Sequence, residues 1–202
     1  MTFDFGVQKC EHCGKEYLIE RMTSGNTFGM RLRSDGRHIG GGMLEPKIVF
    51  KCDDCSNINW MKSDYTEIEH EKIKELKFIP DISTELCEEI ISNKLYHNLK
   101  TETYIRMKYW HLCNDENKED KFKLDTDNKI LINNLNCLLN IFNEDNSIDK
   151  QLLRCEILRE LGLFKEAKEV LLKIKEFDNN PVINIFEKLI DDNDDRIQII
   201  FQ

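Results

Sequence analysis

The chain has 202 residues, of which 40% are hydrophobic and 33% charged, and it carries a net charge of -9. That balance fits folded domains rather than a disordered segment, and the length suits one medium domain or two small ones. The start, Met-Thr-Phe-Asp-Phe-Gly, has neither the basic nor the apolar part of a signal peptide, and no apolar run reaches the ~20 residues of a membrane helix. A soluble, cytoplasmic protein is therefore expected.

The charge is unevenly spread. Residues 1–63 hold 9 Lys and Arg against 8 Asp and Glu, whereas the remainder holds 20 against 30. An acidic protein makes a poor general nucleic-acid binder, because phosphate contacts need a cationic face. The near-neutral N-terminal part is not subject to that objection. The chain has eight cysteines, and in an unexported protein these argue against a disulfide framework.

Four cysteines fall in two pairs, Cys10-Glu11-His12-Cys13 and Cys52-Asp53-Asp54-Cys55. Each pair closes a short turn that presents two thiolates, and two facing turns complete a tetrahedral site. The alternatives are redox dithiols or a rubredoxin-like iron site. No helix pattern opens at either pair, so metal is favoured, and a closed four-cysteine shell favours structural Zn2+ held by Cys10, Cys13, Cys52 and Cys55. His12 is an alternative ligand, which a complete four-sulfur shell does not need. Short strand-like runs surround the pairs: Tyr17-Leu18-Ile19, Lys47–Lys51 and Ile58–Met61. Gly14 follows the first pair, where a knuckle needs positive φ. Over roughly residues 7–62 this layout resembles a zinc ribbon.

Thirty-eight residues separate Cys13 from Cys52, beyond the usual insert of about 15–20 in a compact site. Within the inserted segment 22–46, Asp35-Gly36 signals a turn between 30–33 and 37–39, so a second hairpin is expected. It carries Arg31, Arg33, Arg37 and His38, with Phe28 nearby, and forms a candidate contact surface for phosphates and bases. The competing reading is a solvated hairpin whose arginines pair with acidic residues of the helical domain. Gly40-Gly41-Gly42 has no following Gly-Lys-Ser/Thr and reads as a flexible turn, not a phosphate loop.

From residue 64 on, helical spacing replaces alternation. Asp64–Lys77 reads as a charged helix. Ser83 is placed to cap a helix carrying Leu86, Ile90, Leu95 and Leu99. Residues 101–113 carry Tyr104, Met107, Trp110 and Leu112. A polar linker, 114–128, precedes a helix lined by Leu131, Leu135, Leu138 and Phe142. Leu153, Ile157 and Leu161 line the next helix, and Gly162 ends it. Phe164, Ala167, Leu171, Ile174 and Phe177 line the one after, and Asn180-Pro181 reads as cap and first turn of another. The run Leu161–Ala167 resembles the turn of a tetratricopeptide repeat, with Cys155 and Ala167 as the small residues where its helices touch. The 34-residue period is not kept and the closing proline is missing.

The expected fold is therefore α+β in two modules: an all-β ribbon over 1–63 with its inserted hairpin, and all-α hairpins over 64–202, tetratricopeptide-like at 148–178. The whole arrangement resembles an uncharacterised bacterial family that joins a zinc ribbon to tetratricopeptide-like helices. Gly25-Asn26-Thr27-Phe28-Gly29 and Ser34-Asp35-Gly36 carry that likeness, which implies architecture and no activity.

No catalytic constellation stands out. His70-Glu71-Lys72-Ile73-Lys74 has Lys74 where a zincin has its second His. His111 and Cys113 fall on different faces of a helix, and Cys87, Cys113, Cys137 and Cys155 read as buried core. Asp191–Asp195 lacks the ligand spacing of a calcium loop and reads as a solvated turn. A non-enzymatic adaptor with a protein partner is the leading expectation. Nucleic-acid binding through the basic insert is the alternative, and an enzyme of unknown reaction the third.

Overall fold

A computed structural model describes residues 2–41, 45–62, 66–67, 72–116, 119–177 and 181–201. In chain order its elements are β1 (Thr2–Lys9), β2 (Glu16–Ser24), β3 (Arg31–Arg33), β4 (His38–Ile39), β5 (Val49–Lys51), β6 (Ile58–Trp60), β7 (Thr66–Glu67), α1 (Thr84–Ser92), α2 (Leu99–Asp115), β8 (Lys121–Phe122), α3 (Lys129–Asn143), α4 (Ile148–Glu160), α5 (Phe164–Lys175), α6 (Pro181–Asp191) and β9 (Ile197–Phe201). Mixed α and β content is thus present. None of the described helices is long and apolar enough to cross a membrane.

The chain divides into two compact units. One comprises Met1–Gly29 with Gly40–Leu86, and the other Met30–Ile39 with Cys87–Gln202. The division expected at 63/64 is displaced in two ways, each with a physical cause. Residues 77–79 stay with the first unit because they complete the edge of β2: the Leu18 amide donates to the Lys77 carbonyl (2.8 Å) and the Ile79 amide to the Leu18 carbonyl (3.0 Å). Residues 30–39 join the second unit because β3 pairs with β9. The inserted hairpin is present, as Asp35-Gly36 predicts, but it is built into the helical unit.

In the first unit, β1 and β2 form a long antiparallel hairpin from Lys9↔Glu16 to Thr2↔Ser24. β7 pairs with the other edge of β1, and β5 pairs with β6. Cys10, Tyr17, Ile19, Phe50, Cys52 and Ile79 form the core. The helix expected over Asp64–Lys77 does not form in the described part, which holds β7 and one 3-10 turn at Lys72–Lys74. The rest of that segment, His70 included, lies outside the described residues, as do Gly42 and Asn180.

In the second unit consecutive helices pack as neighbours from α2 to α6. α1 spans the division in the chain, and at its start, still in the first unit, the Ser83 hydroxyl accepts from the Leu86 amide (3.2 Å), as expected of a cap. Leu86 and Ile90 are buried, but α1 ends at Ser92 and leaves Leu95 and Leu99 exposed. On α2 the buried residues are Ile105, Arg106, Tyr109, Trp110 and Asn114, not Tyr104, Met107 and Leu112. The α3 contact is partly polar: the Asn134 amide group donates to the Arg106 carbonyl (2.9 Å). A count of apolar residues misses such a face. On α3, Leu131, Leu135, Leu138 and Phe142 are all buried as predicted.

The α4–α5 hairpin follows from local chemistry. Gly162 takes φ 73°. Its amide donates to the Arg159 carbonyl (2.9 Å), and that of Leu163 to the Leu158 carbonyl (2.8 Å). This pair of bonds satisfies the last carbonyls of α4 and reverses the chain. The two helices meet at buried Cys155 and Ala167, where Sγ donates to the Ala167 carbonyl (3.4 Å). Residues 197–201 add an element absent from the sequence reading: β9 lies between β3 and β8 in a four-stranded sheet of order β4-β3-β9-β8.

Candidate metal centre

Both cysteine pairs adopt the same knuckle. The Cys10 amide donates to the Lys15 carbonyl (2.8 Å) and the Gly14 amide to the Cys10 carbonyl (3.0 Å). In the second knuckle the Cys52 amide donates to the Asn57 carbonyl (2.9 Å) and the Ser56 amide to the Cys52 carbonyl (2.9 Å). Each turn needs a left-handed residue one past its second cysteine. Gly14 fills that place at φ 76° and Ser56 at φ 59°. Glycine adopts this conformation freely, whereas a side chain is strained there.

The two knuckles bring four sulfurs together. Cys10 Sγ lies 3.6 Å from Cys55 Sγ, and Cys13 Sγ 3.6 Å from Cys52 Sγ. All four lie within 4.8 Å of one another. A tetrahedron with metal–sulfur bonds of about 2.3 Å has edges near 3.8 Å, so the cluster can hold a metal ion. None of the four is in a disulfide. Among the described residues they are the one group of three or more Cys, His, Asp or Glu close enough to share an ion. His12 is exposed and outside the group.

Electrostatics prepares the sulfurs unequally. Burial works against ionisation of Cys52, but the Tyr17 hydroxyl, the Cys55 and Asp54 amides and Cys13 bring it down to about 6. Burial likewise opposes ionisation of Cys10, while the Cys13 and His12 amides, with neighbouring sulfurs, hold it below the ordinary thiol range. The Lys15 amide lowers Cys13, yet burial and the other three sulfurs push it up to about 12. Sulfurs this close resist ionising together, and a central cation offsets that repulsion.

A second layer braces the first. Tyr17, buried on β2, donates its hydroxyl toward Cys52 Sγ (3.2 Å) and the Asp53 carboxylate, and accepts from the Asp53 amide (3.0 Å). Its ring packs edge-on against Phe50, with centroids 5.2 Å apart. Asn57 donates to Cys55 Sγ (3.4 Å). Buried Asn59 accepts from the Glu11 amide (2.9 Å), tying β6 to the first knuckle. Sequence spacing singles out the cysteines but not Tyr17, Ser56, Asn57 or Asn59. The one available signal was that Tyr17 follows Cys13 by four residues on a strand.

The residues of the candidate contact surface, Phe28, Arg31, Arg33, Arg37 and His38, differ in exposure and in partners. Arg33 is 5% exposed and meets the Asp35 and Asp115 carboxylates. Arg37 pairs with Asp115 (2.8 Å) and Arg31 with Asp120 (3.0 Å). These acidic partners belong to the helical unit, so the arginines are already neutralised. Phe28 and His38 are exposed, and Phe28 belongs to the first unit.

The hairpin also contributes to a buried polar cluster that the sequence did not suggest. Asp35 is buried, accepts from Asn114 (2.8 Å), and its carbonyl accepts from His111 Nε2 (3.0 Å). A carbonyl only accepts, which places the imidazole proton on Nε2. Buried Glu156 accepts twice from Arg159 (2.6 and 2.7 Å). Arg159 also donates to the Asp194 carbonyl and to the Arg196 carbonyl (3.0 Å). Asp194 itself pairs with Lys121 (2.5 Å) and Arg196 (2.8 Å), so the expected solvated turn is an anchored one. His111 does not pair with Cys113, whose neighbour is Tyr109. Of the cysteines expected in the core, Cys87 and Cys155 are buried, whereas Cys113 and Cys137 are half-buried.

Compared with known proteins, the chain matches no family model, no curated protein and no solved structure.

Proposed function

We propose that this chain is a non-enzymatic adaptor with a zinc-ribbon head, in which one structural zinc holds the first unit and the helical unit binds a protein partner. The observation that carries the reading is the closed four-sulfur shell. Four thiolates saturate a tetrahedral ion and leave no position for a substrate or an activated water. Zinc is favoured over iron because closed all-cysteine sites of this kind are usually structural zinc. The helical unit is read as tetratricopeptide-like from its Gly162 turn and its Cys155–Ala167 contact. Exposed Leu172 and Phe177, on and just after α5, supply apolar surface for a partner.

Elemental analysis of natively purified protein tests the metal: one zinc per chain is expected, and stoichiometric iron or no metal contradicts it. Nuclease-treated affinity purification from the native host tests the adaptor. A protein captured by the wild type and lost from a Leu172→Glu/Phe177→Glu double variant supports it. Capture that depends wholly on nucleic acid, or is indifferent to the double variant, contradicts it.

A further inference from the structure

The interior of the helical unit holds more carboxylates than its cations serve. Glu160, at the end of α4, is buried, and its Oε2 accepts from Trp110 Nε1 on α2 (3.0 Å). Its Oε1 is buried without a donor. Besides Trp110, its neighbour one helical turn earlier on α4 is another buried carboxyl, Glu156. Glu156 already uses both oxygens to accept from Arg159. Two ionised carboxylates facing each other in a dry interior repel, and neither has a proton to donate. A single proton on Glu160 removes the charge and turns Oε1 from an orphaned acceptor into a donor.

We propose that the Glu156–Glu160 pair holds one proton in the folded helical unit, and that the packing of the Ser34–Gly36 turn and β9 on α4 is coupled to its uptake. The surroundings are consistent on every side. From α4, Glu156 and Arg159 face Glu160, and from α2 come Trp110 and, beside it, His111. From the turn between β3 and β4 comes Asp35, with Arg33 bound to it and Arg37 and Asp115 next in the chain of ion pairs. From the segment before β9 comes Asp194, whose carbonyl accepts from Arg159. Arg159 also reaches Ser34 Oγ (3.5 Å), so the turn, α4 and β9 share one polar cluster. Burial, then the negative charge of Glu156 and Asp35, push the Glu160 carboxyl well above the usual carboxylate range, against the pull of Arg159.

The sign follows by linkage. The folded state holds the proton at a pH where the unfolded chain has released it. Stability from this group is therefore complete below about pH 4.3, the unfolded value, and falls as pH rises toward the folded value. Within that window one proton changes the unfolding constant about tenfold per pH unit. Buried His111 is displaced downward, chiefly by burial, and acts in the opposite sense below about pH 6.5. It is common to both proteins in the comparison below and cancels from it.

Glu160→Gln is the test, since the amide accepts from Trp110 and donates to Glu156 without a titrating proton. Denaturant unfolding of both proteins, metal-loaded, is measured from pH 5 to 9 with Trp110 fluorescence in a Trp60→Phe background. The wild type is expected to lose stability relative to the variant by up to tenfold in the unfolding constant per pH unit. Amide exchange at Ser34–Arg37 and Ile197–Ile199 is expected to quicken with pH relative to the variant. A pH-independent difference between the two proteins overturns the proposal. If the variant does not fold, infrared spectroscopy of the wild type decides: a protonated-carboxyl stretch at neutral pH supports the shared proton, and its absence overturns it.

Discussion

Tyr17 and Ser56 show at single residues how the knuckles work. The Tyr17 hydroxyl is directed toward Cys52 Sγ and Asp53 while accepting from the Asp53 amide. Partners just outside a metal shell typically change affinity by 10–100-fold. Tyr17→Phe keeps the packing against Phe50 and removes only the oxygen. It is expected to weaken zinc about tenfold in a competition titration with a chromophoric chelator, without loss of the folded state. Ser56 carries a backbone strain that Gly14 avoids at the equivalent place. Ser56→Gly is expected to raise stability by about 1 kcal/mol in chemical denaturation of the metal-loaded protein. The cysteines were legible in the sequence because spacing alone defines a two-thiolate turn. Ser56 was not, because serine does not announce positive φ as glycine does.

Among the elements, α4 shows what periodicity captures and what it omits. Its Gly162 stop was readable, but of the expected line Leu153, Ile157 and Leu161 only Ile157 is buried, and Glu156, Arg159 and Glu160 are buried beside it. A charged residue in a helix normally reads as a solvated face, and its burial depends on partners distant in the chain. Here those partners are Ser34 and the carbonyls of 194 and 196, brought in by β9 and the hairpin. The same reason hid β8 and β9, because two-residue β8 has no period to detect and β9 gains its meaning from pairing with β3. It also explains the misplaced hairpin: pairing of Arg31, Arg33 and Arg37 with acidic residues of the helical domain was one of the two expectations, but the pairing of β3 with β9 that carries the hairpin into that unit was not readable. Arg159→Met leaves Glu156 as an uncompensated buried charge. Breaking such a pair from one side costs about 3–5 kcal/mol, which thermal or urea unfolding of the helical unit is expected to register.

For the whole molecule, two units are built on different physics. In the first, two cysteines of the four-sulfur group, Cys10 and Cys52, are themselves part of a buried cluster with Tyr17, Ile19, Phe50 and Ile79. If that group holds the proposed zinc, the metal is part of this core, and structural zinc in small domains contributes on the order of 10 kcal/mol. The second buries a larger apolar cluster of its own, including Leu158, Val170, Ile183, Phe186 and Ile190. Chelation is therefore expected to unfold the first unit while the helical circular dichroism of the second persists. Loss of both together would show that the helices depend on the metal. The most direct measurement is X-ray absorption at the zinc edge of natively purified protein. The account predicts one zinc ringed by four sulfurs at about 2.3 Å, with no nitrogen or oxygen ligand. A mixed shell with a light-atom ligand, or no stoichiometric zinc, would contradict it.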